Sequence, residues 1–142
     1  MNLFLDSSVL FAASGSASGA SGTVFQFAPQ NSWALLVSRY VLSEVARNLR
    51  LLSPAAIEDW QRLRPHLRVV DDVLSLDRPT IFPASKDRPI LFTALAWAHV
   101  LLTLDRGDFN TVIGRQFYGL AVLVPADFLI RERSAGRSIE KG

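Results

Sequence analysis

Asn2-Leu3-Phe4-Leu5-Asp6-Ser7-Ser8-Val9-Leu10 is the stretch that decides the fold class. Asn2 to Leu5 is a short, nearly continuous apolar run of strand length, and it stops at an acid followed by two hydroxyls. Serines at that point suit the head of a helix, where a side-chain oxygen meets backbone N–H groups that have no partner within the helix. An unbroken apolar run, rather than an alternating one, is the mark of a strand covered on both faces. A helix directly after such a strand points to a parallel sheet, since parallel neighbours need a crossover.

The same succession recurs along the chain. Trp33 to Val37 reads as a second strand, and Arg39 to Leu52 as an amphipathic helix with Tyr40, Val41, Val45, Leu49 and Leu52 at helical spacing. Pro54 suits the first turn of another helix that ends near Pro65. Leu67–Val70 forms a third strand, an irregular stretch follows from Asp71 to Lys86, and Asp87 heads a helix through Ala98. Val100 to Leu104 is a fourth strand ending at Asp105, Asp108 opens a short helix, and Leu120 to Val124 is a fifth strand stopped by Pro125. Ser14 to Gly22 is rich in serine and glycine and reads as a flexible loop between two helical segments. The expectation is one α/β domain over 1–133 and a polar, disordered tail over 134–142.

Composition narrows the function classes. With 49% hydrophobic and 20% charged residues among 142, the chain is globular. It contains no apolar run of membrane-spanning length and no recognisable signal peptide, so a cytoplasmic protein without membrane association is expected. The absence of cysteine excludes disulfides and thiolate metal sites. A net charge of +2 does not by itself diagnose a nucleic-acid binder, but arginine supplies most of the positive charge and its planar fork suits phosphate.

The acids carry the chemistry. Asp6 follows the first strand and Asp105 the fourth, and the carboxyl ends of parallel strands share the edge where open α/β folds bind ligands. Glu44 lies early in the helix after the second strand, Asp87 heads the helix leading into the fourth, and Asp108 follows Asp105 by three residues. Singly, each has an ordinary explanation: Asp87 and Asp108 as helix caps, Glu44 as one residue of a solvated face, Asp105 as part of a turn. Together they do not, because two carboxylates about 4 Å apart repel by roughly 4 kcal/mol at an effective dielectric near 20. Such a cluster requires protonation or a cation, and an all-oxygen ligand set selects Mg2+ or Mn2+. His66 and His99 read as ordinary packing or polar residues.

In order and spacing these residues resemble the PIN-domain family. Leu3-Phe4-Leu5-Asp6-Ser7-Ser8-Val9-Leu10 resembles its opening strand, acid and hydroxyl pair. Glu44 with Asn48 resembles its second acidic motif, Asp87-Arg88-Pro89-Ile90-Leu91 its third, and Thr103-Leu104-Asp105-Arg106-Gly107-Asp108-Phe109 its fourth. The resemblance implies a three-layer α/β/α fold with a five-stranded parallel sheet in the order 3-2-1-4-5, and metal-dependent cleavage of RNA. It further implies a VapC-type toxin with a cognate antitoxin, and a homodimer. Two features depart from the family pattern: His99 before the fourth strand, and the length of the Ser14–Gly22 segment. On this reading Asp6, Asp87 and Asp105 bind a metal directly, with Glu44 and Asp108 completing the site. Ser7, Ser8, Asn48 and Thr103 orient the carboxylates, and Arg39, Arg47, Arg88 and Arg106 contact RNA.

The alternatives are a haloacid-dehalogenase-type phosphatase, a phospho-acceptor receiver and a catalytically silent PIN-like RNA-binding or interaction module. The first expects an acid where Ser8 stands, and the second a lysine after the last strand, where Pro125-Ala126-Asp127 is found instead.

Overall fold

The computed structural model describes residues 1–76 and 85–139. Its strands are β1 (Asn2–Leu5), β2 (Ala34–Ser38), β3 (Leu67–Val70), β4 (Val100–Leu102), β5 (Gln116–Phe117) and β6 (Leu120–Leu123). The helices are α1 (Ser7–Gly15), α2 (Ala20–Asn31), α3 (Arg39–Asn48), α4 (Pro54–Leu63), α5 (Arg88–Trp97) and α6 (Pro125–Ser134). The protein is an α/β domain.

Capping chemistry sets several of these boundaries. Ser38 and Ser53 stand before α3 and α4, and their hydroxyls accept the amides of Val41 and Ala56 at 3.3 and 3.1 Å. Pro54 occupies the first turn of α4, where its missing N–H costs nothing. Two connections differ from the sequence expectation. The Ser14–Gly22 loop shrinks to the residues between Gly15 and Ala20, because helical structure claims both ends. Asp108 opens no helix; Arg106 to Ile113 forms a run of turns ahead of Gly114, whose φ is 76°.

The sheet runs β3-β2-β1-β4-β6-β5. This corrects the expected five-stranded, all-parallel 3-2-1-4-5 sheet: the described residues form six strands, and β5 pairs antiparallel with β6 at the edge. Two residues are too short for a periodic signal, and β5 exists because Tyr118 and Gly119, at φ 48° and 87°, turn the chain back into a tight hairpin. The central pairing of β1 with β4 is parallel, with Phe4 opposite Leu101.

Successive strand side chains point to opposite faces. Leu3, Phe4 and Leu5 of β1 and Val100, Leu101 and Leu102 of β4 are all fully buried, so both faces of the sheet centre are covered. Chain order and the parallel pairings then bring the carboxyl ends of β1, β2 and β4 to one edge.

The tail also requires correction. Beyond α6 the chain turns at Gly136, the Ser138 carbonyl accepts Asn31 Nδ2 at 2.8 Å, and Ile139 is buried in the core. Ile139 thus packs against the core, while residues 134–138 ahead of it are exposed; residues 140–142 lie outside the described set. The irregular stretch expected between Asp71 and Lys86 lies partly outside it too, at 77–84.

The turn into α2 depends on a missing side chain. A Cβ built on Gly22 would lie 2.5 Å from the Ala17 carbonyl oxygen and 2.6 Å from that of Ser16, both rigid backbone. A Cβ on Gly15 would meet nothing within 4 Å. Gly22→Ala is expected to destabilise the fold by about 1–3 kcal/mol, while Gly15→Ala is neutral or slightly stabilising. Urea unfolding of the two variants checks this, and equal midpoints would contradict the close approach.

Candidate metal centre

Asp6 leaves β1 and caps α1. Its carboxylate accepts the Ser7 amide at 2.8 Å on Oδ1, and the hydroxyls of Ser8 and Thr103 at 2.7 and 2.9 Å on Oδ2. Both hydroxyls are used twice. Ser8 Oγ accepts the Leu104 amide at 3.0 Å, and Thr103 Oγ1 accepts the Asp105 amide at 3.0 Å. The loop leaving β4 is thereby fixed to the loop leaving β1, and Asp105 is held over the sheet edge. Asp105 Oδ1 in turn accepts the Asp108 amide at 2.9 Å, closing the turn that carries both acids.

Asp87 stands at the cap position of α5 yet makes no capping hydrogen bond with its side chain. It is 5% exposed, and its Oδ2 has no hydrogen-bond partner. The carboxyl faces the other acids instead: single oxygens of Asp87, Asp105 and Asp108 all lie within 4.8 Å of one another. Glu44 approaches from α3, with a buried Oε1 that also lacks a hydrogen-bond partner. Five predicted acids thus converge on one edge, and each interacts electrostatically with at least one other.

The tight trio differs from the expected direct set of Asp6, Asp87 and Asp105. Asp108 belongs to it, while Asp6 is drawn onto its three donors and stands beside it. Of the expected orienting residues, Ser7 contributes its amide, and Ser8 and Thr103 their hydroxyls. Asn48 does not orient a carboxylate, because its Nδ2 donates back to the Glu44 carbonyl at 2.9 Å within the helix. Arg39, Arg47, Arg88 and Arg106 have exposed side chains. His99 lies ahead of β4, at the sheet end away from Asp105, where its Nδ1 accepts the Asn2 amide.

Two residues without an acidic signature also belong here. The Tyr40 hydroxyl donates to the Lys86 carbonyl, tying α3 to the turn that carries Asp87. Lys86 Nζ lies 3.0 Å from Asp108 Oδ2. Adjacency to Asp87 was the one available sign of Lys86. Tyr40 had been assigned to the apolar stripe of its helix.

The electrostatics follow from burial and crowding. Burial pushes the Asp6 carboxyl above its ordinary range against the pull of its three donors, and the Asp105 charge adds to the rise. Glu44 is raised by burial and by the charge of Asp6, with Arg47 and Lys86 opposing. Asp87 is raised furthest, to about 8, by burial and by its hydrogen bond and repulsion with Asp108. Asp108 is lowered, because it accepts that bond and one from Lys86. Without a metal, Asp87 is therefore the protonated partner and Asp108 the ionised one.

This donor set fits a hard divalent ion. The oxygens span a distance compatible with the coordination of magnesium or manganese, whose adjacent ligands stand about 3 Å apart and opposite ones about 4.2 Å. A cation held there would also meet the Asp87 oxygen that has no hydrogen-bond partner. No family model, curated protein or solved structure gives a significant match to this chain.

Two outcomes are expected. A carboxyl raised in the folded state adds stability below its ordinary value, 3.8 for Asp87, and that stability is lost as pH rises through about 8. Asp6 and Glu44 carry the same sign and Asp108 the opposite. In EDTA the melting temperature should therefore fall between about pH 5 and pH 9, and Asp87→Asn should flatten the slope; a melting temperature that climbs with pH would refute the protonated Asp87. Thr103→Val removes a donor to Asp6 and leaves the Asp105 amide without its acceptor, at a cost of about 1–3 kcal/mol, measurable by chemical denaturation at pH 6.

Proposed function

We propose that this protein is a metal-dependent endoribonuclease with a PIN-like fold, hydrolysing RNA phosphodiester bonds with Mg2+ or Mn2+. One observation carries the reading: five acids from four separate segments converge on the carboxyl edge of a mostly parallel sheet, and Asp87 gives up the cap of its own helix to join them. A fold does not collect mutually repelling carboxylates for stability, so a ligand that pays for the repulsion is the economical explanation.

In this assignment Asp87, Asp105 and Asp108 hold the ion, and Asp6 and Glu44 flank it. When bound, the ion supplies Lewis-acid activation of water and neutralises charge at the phosphate. Thr103 and Ser8 keep Asp6 from turning away, and through their second hydrogen bonds they fix the height of Asp105 above the sheet. Glu44 Oε1, which has no hydrogen-bond partner, is the group suited to accept a proton from water, because burial and neighbouring charge raise its proton affinity. Arg39, Arg47, Arg88 and Arg106 provide phosphate contacts around the edge. The role as toxin, the antitoxin partner and the homodimer rest on the family resemblance alone. Toxicity on expression that a neighbouring gene relieves would support the first two.

A catalytically silent RNA-binding module is the second reading. The Lys86–Asp108 ion pair favours it, since an ammonium already supplies positive charge to the acids.

Cleavage of a mixed RNA pool by the purified protein separates the two. Cuts are expected with magnesium or manganese and not with EDTA, and Asp105→Asn should slow them by roughly 100-fold or more. Asp6→Asn should behave similarly while the protein remains folded by circular dichroism. Intact RNA under both ions, with RNA still retained by the protein, would favour the silent module.

A further inference from the structure

We propose that Lys86 is a tethered counter-cation of the acid cluster, one that competes with the divalent ion for Asp108 and so weakens its binding. The inference rests on the metal-binding reading of the cluster and adds to it a residue that tunes affinity.

The backbone of Lys86 is fixed while its side chain is not. Its carbonyl accepts the Tyr40 hydroxyl, and the next residue is the buried Asp87. The side chain itself is 74% exposed, and its ammonium meets Asp108 Oδ2 at 3.0 Å. The anchor thus holds the base of a flexible four-carbon stem beside the acids, close enough for its ammonium to meet Asp108. The reach of its charge goes beyond that one partner. Lys86 interacts electrostatically with Asp87, Asp105 and Asp108, and also with Glu44, so its ammonium lies within electrostatic range of four carboxyl groups. Arg47 also acts on Glu44, from α3, but the ion pair with the trio among the described residues is that of Lys86.

An ammonium is an incomplete substitute for a divalent ion. It carries one charge and three donors in a geometry set by its stem, and Asp87 Oδ2 still lacks a partner beside it. An incoming dication offers twice the charge and closer oxygen contacts, but it must either displace the ammonium from Asp108 or bind beside it. Displacement forfeits an ion pair, and coexistence places like charges a few ångströms apart. Both routes lower affinity, and both are absent when residue 86 is neutral. Once displaced, the ammonium remains at the mouth of the cluster, where a phosphate would approach.

Isothermal titration of Mn2+ into the full chain tests this without recourse to activity. The proteins are wild type, Lys86→Met, which keeps the stem and removes the charge, Lys86→Arg, Asp108→Asn, and Lys86→Met combined with Asp108→Asn. Lys86→Met is expected to lower the Mn2+ Kd about three- to tenfold, within the repulsion expected between a dication and an ammonium about 5 Å apart even at the dielectric of water. Lys86→Arg should bind like wild type. Against Asp108→Asn alone, the gain from Lys86→Met should shrink. An unchanged or weaker affinity in Lys86→Met, with wild type binding normally, overturns the inference and leaves the nuclease reading intact. Tighter binding in Lys86→Met with no RNA cleavage by any variant sustains the inference and overturns the nuclease. Failure of both wild type and Lys86→Met to bind Mn2+ at millimolar concentration overturns both.

Discussion

The hydrogen bond from Thr103 to Asp6 joins two residues 97 positions apart and defines the edge on which everything else is arranged. It exists because β1 and β4 are parallel neighbours in register, so that the chain leaves both strands at the same height. Each hydroxyl in the junction works in two directions, donating to the buried carboxylate and accepting an amide of the loop that leaves β4. An acid buried at the end of an apolar strand would ordinarily be costly. Here its oxygens are supplied with donors, and the same donors position Asp105. The capping of α1 and the shaping of the acid cluster are thus one network.

Around that junction the protein holds charges that work against one another. Burial and proximity raise Asp6, Glu44 and Asp87, while hydrogen bonds from Asp87 and Lys86 lower Asp108. Protonation of Asp87 and the ammonium of Lys86 are two internal means of relieving the repulsion, and a divalent ion is a third. On the proposed reading, metal binding would be coupled to proton release from Asp87 and to the position of Lys86 beside Asp108. A site built in this way has an affinity set by what must leave it as much as by its ligands.

The rest of the fold serves to keep that edge rigid. The inner strands are buried on both faces, which leaves little freedom for the loops that leave them. α3 brings Glu44 and Tyr40, and the Tyr40 hydroxyl closes the gap to the turn before α5. On the far side, Gly22 permits a backbone approach that seats α2 against the preceding turn, and Ile139 anchors the chain after α6.

Much of this was legible in the sequence, for local reasons. Unbroken apolar runs, serine caps and Pro54 identify all five parallel strands and the helices α4 and α5 within a residue or two, and the position of Asp6 and Asp105 after strands implies a shared edge. β5 was not legible, because two residues have no periodicity and their pairing depends on a hairpin. Nor was the packing of the tail, which turns on one isoleucine finding the core. Within the site, the sequence named the five acids but not their division. Whether Asp87 caps its helix or turns to the cluster, and whether Asp6 or Asp108 completes the trio, depends on which donors lie within about 3 Å in space. Lys86 and Tyr40 became part of the site only through tertiary contact, since residues distant in the chain come within range of one another's charge only when the sheet has brought them together.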